Sequence, residues 1–173
     1  MSHRLAWALL LTLTACADAD APAEQTGASG RTAQNCAGID VPRLLGRVSD
    51  HAEFLSPADE SRIGNELAAY DAASHHQIVL VTVRSLACKD VATVGQCIGN
   101  RWGIGDATRN DGIIMLVAPN ERRAFIGLGR GFGDNPDDPR VRPAIHAMTS
   151  DLVQGKAAQG ISSAIAVLER TLP

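Results

Sequence analysis

Apolar residues recur at helical spacing in four separate stretches of the chain. Ile63, Leu67 and Tyr70 mark the first, which Ser56-Pro57-Ala58-Asp59 opens with an N-cap serine, a proline at the first helical position and an acid in the first turn, and which runs to about Ser74. Val91, Val94, Ile98 and Trp102 mark the second, closed by Gly103. Val141, Ile145, Met148 and Leu152 stripe the third, and Ile161, Ile165, Leu168 and Leu172 the fourth. Between them lie unbroken apolar runs of the kind that form strands buried on both faces. Residues 77–84 read Gln-Ile-Val-Leu-Val-Thr-Val-Arg, residues 112–118 Gly-Ile-Ile-Met-Leu-Val-Ala, and residues 123–128 Arg-Ala-Phe-Ile-Gly-Leu. The turn Pro119-Asn120-Glu121-Arg122 predicts an antiparallel hairpin from the last two runs. The first two, joined by a helix, predict parallel strands with a right-handed crossover. Together these elements predict a three-layer α/β/α domain with a small mixed sheet and helices on both faces.

The first residues follow a different pattern. A short basic start, Met1 to Arg4, precedes the apolar run Leu5 to Ala15, which falls short of the roughly 20 residues that span a bilayer but suits a secretion signal. Leu13-Thr14-Ala15-Cys16 resembles a bacterial lipobox, whose cysteine is acylated and becomes the new N-terminus; an ordinary secretion signal that contains a cysteine is the simpler alternative. The reading is therefore a signal peptide over 1–15, lipidated Cys16 with a disordered Ala/Gly/Ser/Thr-rich linker over 16–38, and one domain over 39–173. The expected location is the periplasmic side of the cell envelope. Asp18, third from the cysteine rather than second, leans by the same resemblance toward the outer membrane.

Charge narrows the partners. Loss of residues 1–15 removes only Arg4 of the 16 basic residues, against 19 acidic ones, so nucleic acid is not an expected partner. The expected partners are the membrane, through Cys16, and an envelope protein, with the domain itself monomeric. Cys36, Cys88 and Cys97 follow the lipidated cysteine. Outside the cytoplasm a disulfide is allowed, and Cys88–Cys97 is the expected pair; a buried, unbridged Cys97 on the inner side of its helix competes with it. Cys36 would then be the odd thiol in a flexible segment. No C-x₂₋₄-C spacing supports a zinc site.

Topology also gathers chemistry. Two parallel strands and a third running back bring three loops to one edge of the sheet: Ser74-His75-His76, the stretch from Gly103 to Gly112, and the stretch from Gly129 to Pro139. Asp106, Asp111, Asp134, Asp137 and Asp138 then share a neighbourhood. Clustered carboxylates repel unless protonated or paired, and their hard oxygens suit Ca²⁺, with Mg²⁺ as the alternative. The plainer reading makes these aspartates turn residues. Arg109 and Arg130 either neutralise them or hold a phosphoryl group. His75 and His76 are acid–base candidates by position, with capping or solvent-facing roles as the alternative. Neither C-x₅-R, nor a phosphate loop ending in Gly-Lys-Ser/Thr, nor G-x-S-x-G occurs, so catalysis at this edge would need a metal-activated water.

Gly46-Arg47-Val48-Ser49-Asp50, Phe54-Leu55-Ser56-Pro57-Ala58-Asp59-Glu60, and His76-Gln77-Ile78-Val79-Leu80-Val81-Thr82-Val83 with Ser85-Leu86 resemble, in order and spacing, the opening of TPM domains. Arg101-Trp102-Gly103-Ile104-Gly105 and Asn110-Asp111-Gly112-Ile113-Ile114-Met115-Leu116-Val117-Ala118-Pro119 carry the resemblance most specifically, and Gly127-Leu128-Gly129-Arg130-Gly131-Phe132 is similar to the family's Gly-Tyr-Gly-Leu stretch. That family includes a thylakoid-lumen acid phosphatase linked to photosystem II repair and many membrane-attached bacterial proteins. The resemblance covers about 42–172 and implies a calcium-binding α/β domain with possible phosphatase activity. It adds Asp50 to the metal candidates and makes Asp50 and Asp111 the catalytic candidates. Asp137 or Asp138 matches roughly the aspartate after the glycine-rich loop, where the family's Glu-Gly pair is replaced by Gly133-Asp134. Two functions are thereby expected. One is a tethered cation-binding module assisting envelope or membrane-protein maintenance; the other is a metal-assisted acid phosphatase.

Overall fold

The computed structural model describes residues 36–173 except 134, 136 and 137. The signal peptide, Cys16 and most of the linker, together with Asp134 and Asp137, lie outside the described residues. A four-stranded sheet in the order β1-β2-β3-β4 organises the rest, with β1 Val48–Asp50, β2 Ile78–Thr82, β3 Ile113–Ala118 and β4 Arg123–Leu128. β1, β2 and β3 are parallel, and β4 returns antiparallel from β3, pairing Ile113 with Leu128 and Ala118 with Arg123. The parallel β2–β3 pair and the β3–β4 hairpin follow the sequence reading. The short edge strand β1 does not come from periodicity, because three residues cannot display one.

Side-chain alternation along the inner strands divides the core. Ile78, Leu80, Ile113, Met115 and Val117 face helices α1 Pro57–Ser74, α3 Arg142–Val153 and α4 Ala157–Thr171, whose Ile63, Leu67, Met148, Ile161 and Leu168 they meet. Val81, Ile114 and Leu116 face the other way, onto Val94 and Ile98 of α2 Val91–Trp102. Helices on both faces explain why β2 and β3 are buried at every position rather than alternately. The ends of α1 follow its sequence signals: the Ser56 hydroxyl accepts the Asp59 N–H at 3.1 Å, and His75, in the left-handed region at φ 61°, closes the helix. Among the described residues no helix is long and apolar enough to cross a membrane.

Cysteine pairing departs from expectation. Cys97 bridges to Cys36, 61 residues earlier in the chain, and not to Cys88. Helical geometry gives the reason. α2 begins after Asp90 and rises about 1.5 Å per residue, so Cys97 stands about 10 Å along its axis, beyond the roughly 7 Å Cα separation a disulfide tolerates from the turn that holds Cys88. Cys36 is therefore no odd thiol in a flexible stretch. It pins the segment 36–47, whose Ile39 and Val41 pack on the α2 side of the core. The indole N–H of Trp102 donates to the Pro42 carbonyl at 2.9 Å and fastens the same segment again.

Candidate functional site

The edge at the start of β2 and β3 gathers what the topology predicts, and backbone packing builds it. The loop from Gly103 to Gly112 and the loop after β4 lie against each other, with Gly129 N–H donating to the Gly112 carbonyl and Gly131 N–H to the Asn110 carbonyl, both at 2.8 Å. Two glycines make that approach possible. A Cβ on Gly112 would stand 2.0 Å from the Ile104 carbonyl oxygen, and one on Gly131 would stand 2.1 Å from that of Arg109.

Asp111 is the centre of this edge. Its side chain is buried, and it receives the Arg109 Nε–H at 2.6 Å and the His76 Nδ1–H at 3.0 Å on Oδ2, with the Asp106 N–H at 2.9 Å on Oδ1. Burial opposes ionisation, but these three donors outweigh it and hold the carboxyl far below the usual carboxylate range. The Arg109 guanidinium also donates to the His75 carbonyl at 3.1 Å. The His76 ring meets Phe132 edge to face at a centroid distance of 4.7 Å. Gln77 supports the loop from beneath, its side-chain oxygen accepting the Gly105 N–H at 2.7 Å.

The remaining aspartates do not converge on a common point. Asp106 is exposed and closes its own turn, accepting from the Thr108 hydroxyl and from the backbone N–H groups of Thr108 and Arg109 at 2.9 and 3.0 Å; these bonds lower its pKa. Asp138 is buried and forked by Arg140, with Nε at 3.0 Å from each carboxylate oxygen, and is likewise held below the ordinary range. The same guanidinium reaches the Phe132 carbonyl at 2.6 Å and ties the 3₁₀ turn Arg130–Phe132 to the start of α3. Arg130 is exposed.

Asp50 sits elsewhere. It ends β1 level with Thr82, whereas Asp111 precedes β3 at the other end of the sheet, so about 20 Å of strand separates them. One Asp50 oxygen accepts the Phe54 and Leu55 N–H groups, both at 2.8 Å, and the other takes the Thr82 hydroxyl. It caps a turn, and its place in the sequence-derived ligand set with Asp111 is corrected by this separation. Of the two histidines, His75 caps α1 and His76 joins the Asp111 network. Sequence reasoning missed Gln77, Phe132 and Arg140. Only Asp106-x-Thr108, an Asx-turn pattern, announced its local structure.

A cation at this edge meets a donor set already engaged. Among the described residues no three His, Cys, Asp or Glu side chains stand together as ligands for a metal ion. Asp111 and Asp138 direct their oxygens at arginines. The described residues alone do not fit a resident cation.

The ionised Asp111 gives a sign to the acid response. Its carboxyl titrates lower in the native state than in the unfolded chain, so its contribution to stability is present above about pH 4 and is lost as pH falls further. Asp111→Asn is expected to lower stability by about 2 kcal/mol at pH 7, because it leaves the Arg109 and His76 donors facing an amide. Urea unfolding from pH 7 to pH 2 checks this: the gap between the two proteins should narrow below about pH 4, and a constant gap refutes the assignment.

No curated protein matches the chain. Three solved structures share its fold. The N-terminal domain of a protein from P. gingivalis matches with a TM-score of 0.64 and 23% identity over 73% of this chain and 81% of that one. The N-terminal domain of cg2496 from Corynebacterium glutamicum matches with a TM-score of 0.61 and 21% identity over 76% and 84%. The BA42 protein of the psychrophilic bacterium Bizionia argentinensis matches with a TM-score of 0.62 and 18% identity over 69% and 82%. At such identities the likeness concerns the fold. The profile of the TPM domain matches residues 48–171, from the first residue of β1 to the last of α4, and the chain belongs to the TPM-domain family.

Proposed function

We propose that this TPM domain is a binding module of the bacterial cell envelope, tethered to a membrane through a lipid on Cys16, that engages an envelope partner at the edge built around Asp111 and assists membrane-protein maintenance. One observation carries the preference for binding over catalysis. Asp111, the buried acid at the centre of the edge, is ionised and held by three donors, which fits it to fix loop shape and not to move a proton. The groups left facing outward are Arg109, Asp106, His75 and Arg130, a mixed polar surface on a rigid backbone platform.

Ca²⁺, with Mg²⁺ as the alternative, is the ligand that the family resemblance implies. Asp106 is the described carboxylate best able to contribute: it is exposed, and among the described residues its Oδ2 meets only Arg109, at 3.8 Å. Asp134 and Asp137 would have to supply the rest. Calorimetric titration of the mature chain with CaCl₂ tests this. Saturable binding, weakened tenfold or more in Asp106→Asn, supports the reading, whereas absence of heat in the wild type removes Ca²⁺ from it.

The metal-assisted phosphatase reading keeps one geometric point in its favour, the half-exposed Arg109 guanidinium beside His76, a pairing suited to a phosphoryl group. Asp50 plays no part in it, being at the far end of the sheet. Turnover of a generic phosphomonoester between pH 4 and 8, with Ca²⁺ or Mg²⁺ present and abolished by Arg109→Gln, would favour this reading over the first. Its absence would leave binding as the function.

A further inference from the structure

The opposite end of the sheet holds a cavity that neither reading uses. It has a volume of about 370 Å³, within the range of small-molecule sites, and it lies beyond the carboxyl ends of β1 and β2, where open α/β sheets receive ligands. Its floor is apolar: Val83 and Leu86 follow β2, Val94 comes from α2, and Ile39 from the disulfide-pinned segment. Its rim is polar and carries two cations, Arg84 and Lys89. Arg84 is held there by Glu53 and by the His51 carbonyl, to which its Nε–H donates at 3.0 Å. Lys89 reaches over the pinned segment, its ammonium 3.5 Å from the position a Cβ on Gly38 would take, and no ion pair engages it among the described residues. Among the described residues Asp40 is the one carboxylate lining the cavity.

Two further features belong to a built site and not to a packing gap. The Cys36–Cys97 bridge, the Trp102 indole on the Pro42 carbonyl and the His51 ring on the Arg43 carbonyl at 2.8 Å fasten the covering segment at three points. On the other wall Ala87 stands in the left-handed region, at φ 49°, where non-glycine residues are held only by their surroundings and which is common at ligand clamps.

We infer that this cavity is a second ligand site, for a small organic anion whose apolar body lies on Val83, Leu86, Val94 and Ile39 and whose negative group meets Lys89. Lys89 is a binding residue here, and the Cys36-pinned segment is the wall that encloses the apolar part.

The probe is 8-anilinonaphthalene-1-sulfonate, with N-phenyl-1-naphthylamine as its uncharged counterpart, added to the mature, disulfide-intact chain. Saturable one-to-one binding of the sulfonate is expected, with amide NMR shifts at Gly38, Ile39, Leu86, Lys89 and Val94, and about tenfold weaker binding of the neutral compound. Lys89→Glu should weaken sulfonate binding at least tenfold without changing the urea midpoint, while Lys156→Glu, on the turn between α3 and α4, should leave it unchanged. Shifts at His76, Arg109 and Asp111, equal affinity for the two probes, or an unaltered Lys89→Glu would each overturn the assignment. Because the readout lies at the other rim, its failure leaves the proposal for the Asp111 edge standing.

Discussion

Replacing Cys36 by alanine is expected to cost about 4 kcal/mol of stability. The bridge closes 61 residues, and the loop-closure entropy that a crosslink of that length removes from the unfolded chain amounts to roughly that figure. The effect should be larger than at any single hydrogen bond of the Asp111 edge, since even bonds to a charged group contribute about 1.5–3 kcal/mol each. Thermal unfolding of wild type and variant, both without reductant, measures it. A change below about 1 kcal/mol would mean that the segment 36–47 is held by its packing on Val94 and Trp102 and not by the bridge. Cys36→Ser and Cys97→Ser should each show the same loss, which separates the crosslink from the volume of either side chain.

Gly112→Ala is expected to destabilise by about 3 kcal/mol, at the upper end of what overpacking costs. The reason is the nature of the collision. The added methyl meets a carbonyl oxygen at 2.0 Å, and that oxygen belongs to Ile104 in a loop that cannot retreat without breaking the Gly105 and Asp106 N–H bonds to Gln77 and Asp111. Backbone has no rotamer to change. Chemical denaturation gives the loss, and the backbone shifts should spread to Gly129, which bonds to the Gly112 carbonyl. A loss under 1 kcal/mol would show that the two loops are free to part.

The elements legible in the sequence are those whose signal is local. Ser56-Pro57 announced α1, and the apolar runs announced β2, β3 and β4, because capping and burial act on neighbours in the chain. Parallel pairing followed from one topological rule, and that rule alone brought His76, Asp106 and Asp111 to a common edge. What stayed hidden depends on distance across the fold. Nothing near Cys36 states that it will meet Cys97, since their contact is made by the packing of Ile39 and Val41 on α2. Asp50 carried the family pattern, yet its position follows from the register of a three-residue strand. The pairing of Asp138 with Arg140 was equally unreadable, because an acid two residues before an arginine commonly faces a different way.

The length of the inner strands has a consequence for how this protein can change. Asp111 and Lys89 stand at opposite rims of a rigid sheet, share no partner, and are too far apart for their substitutions to couple. Each rim can therefore drift, specialise or be lost without disturbing the other, so relatives with the same scaffold are free to retain either capacity alone. A double variant altered at both rims should show the plain sum of two independent losses.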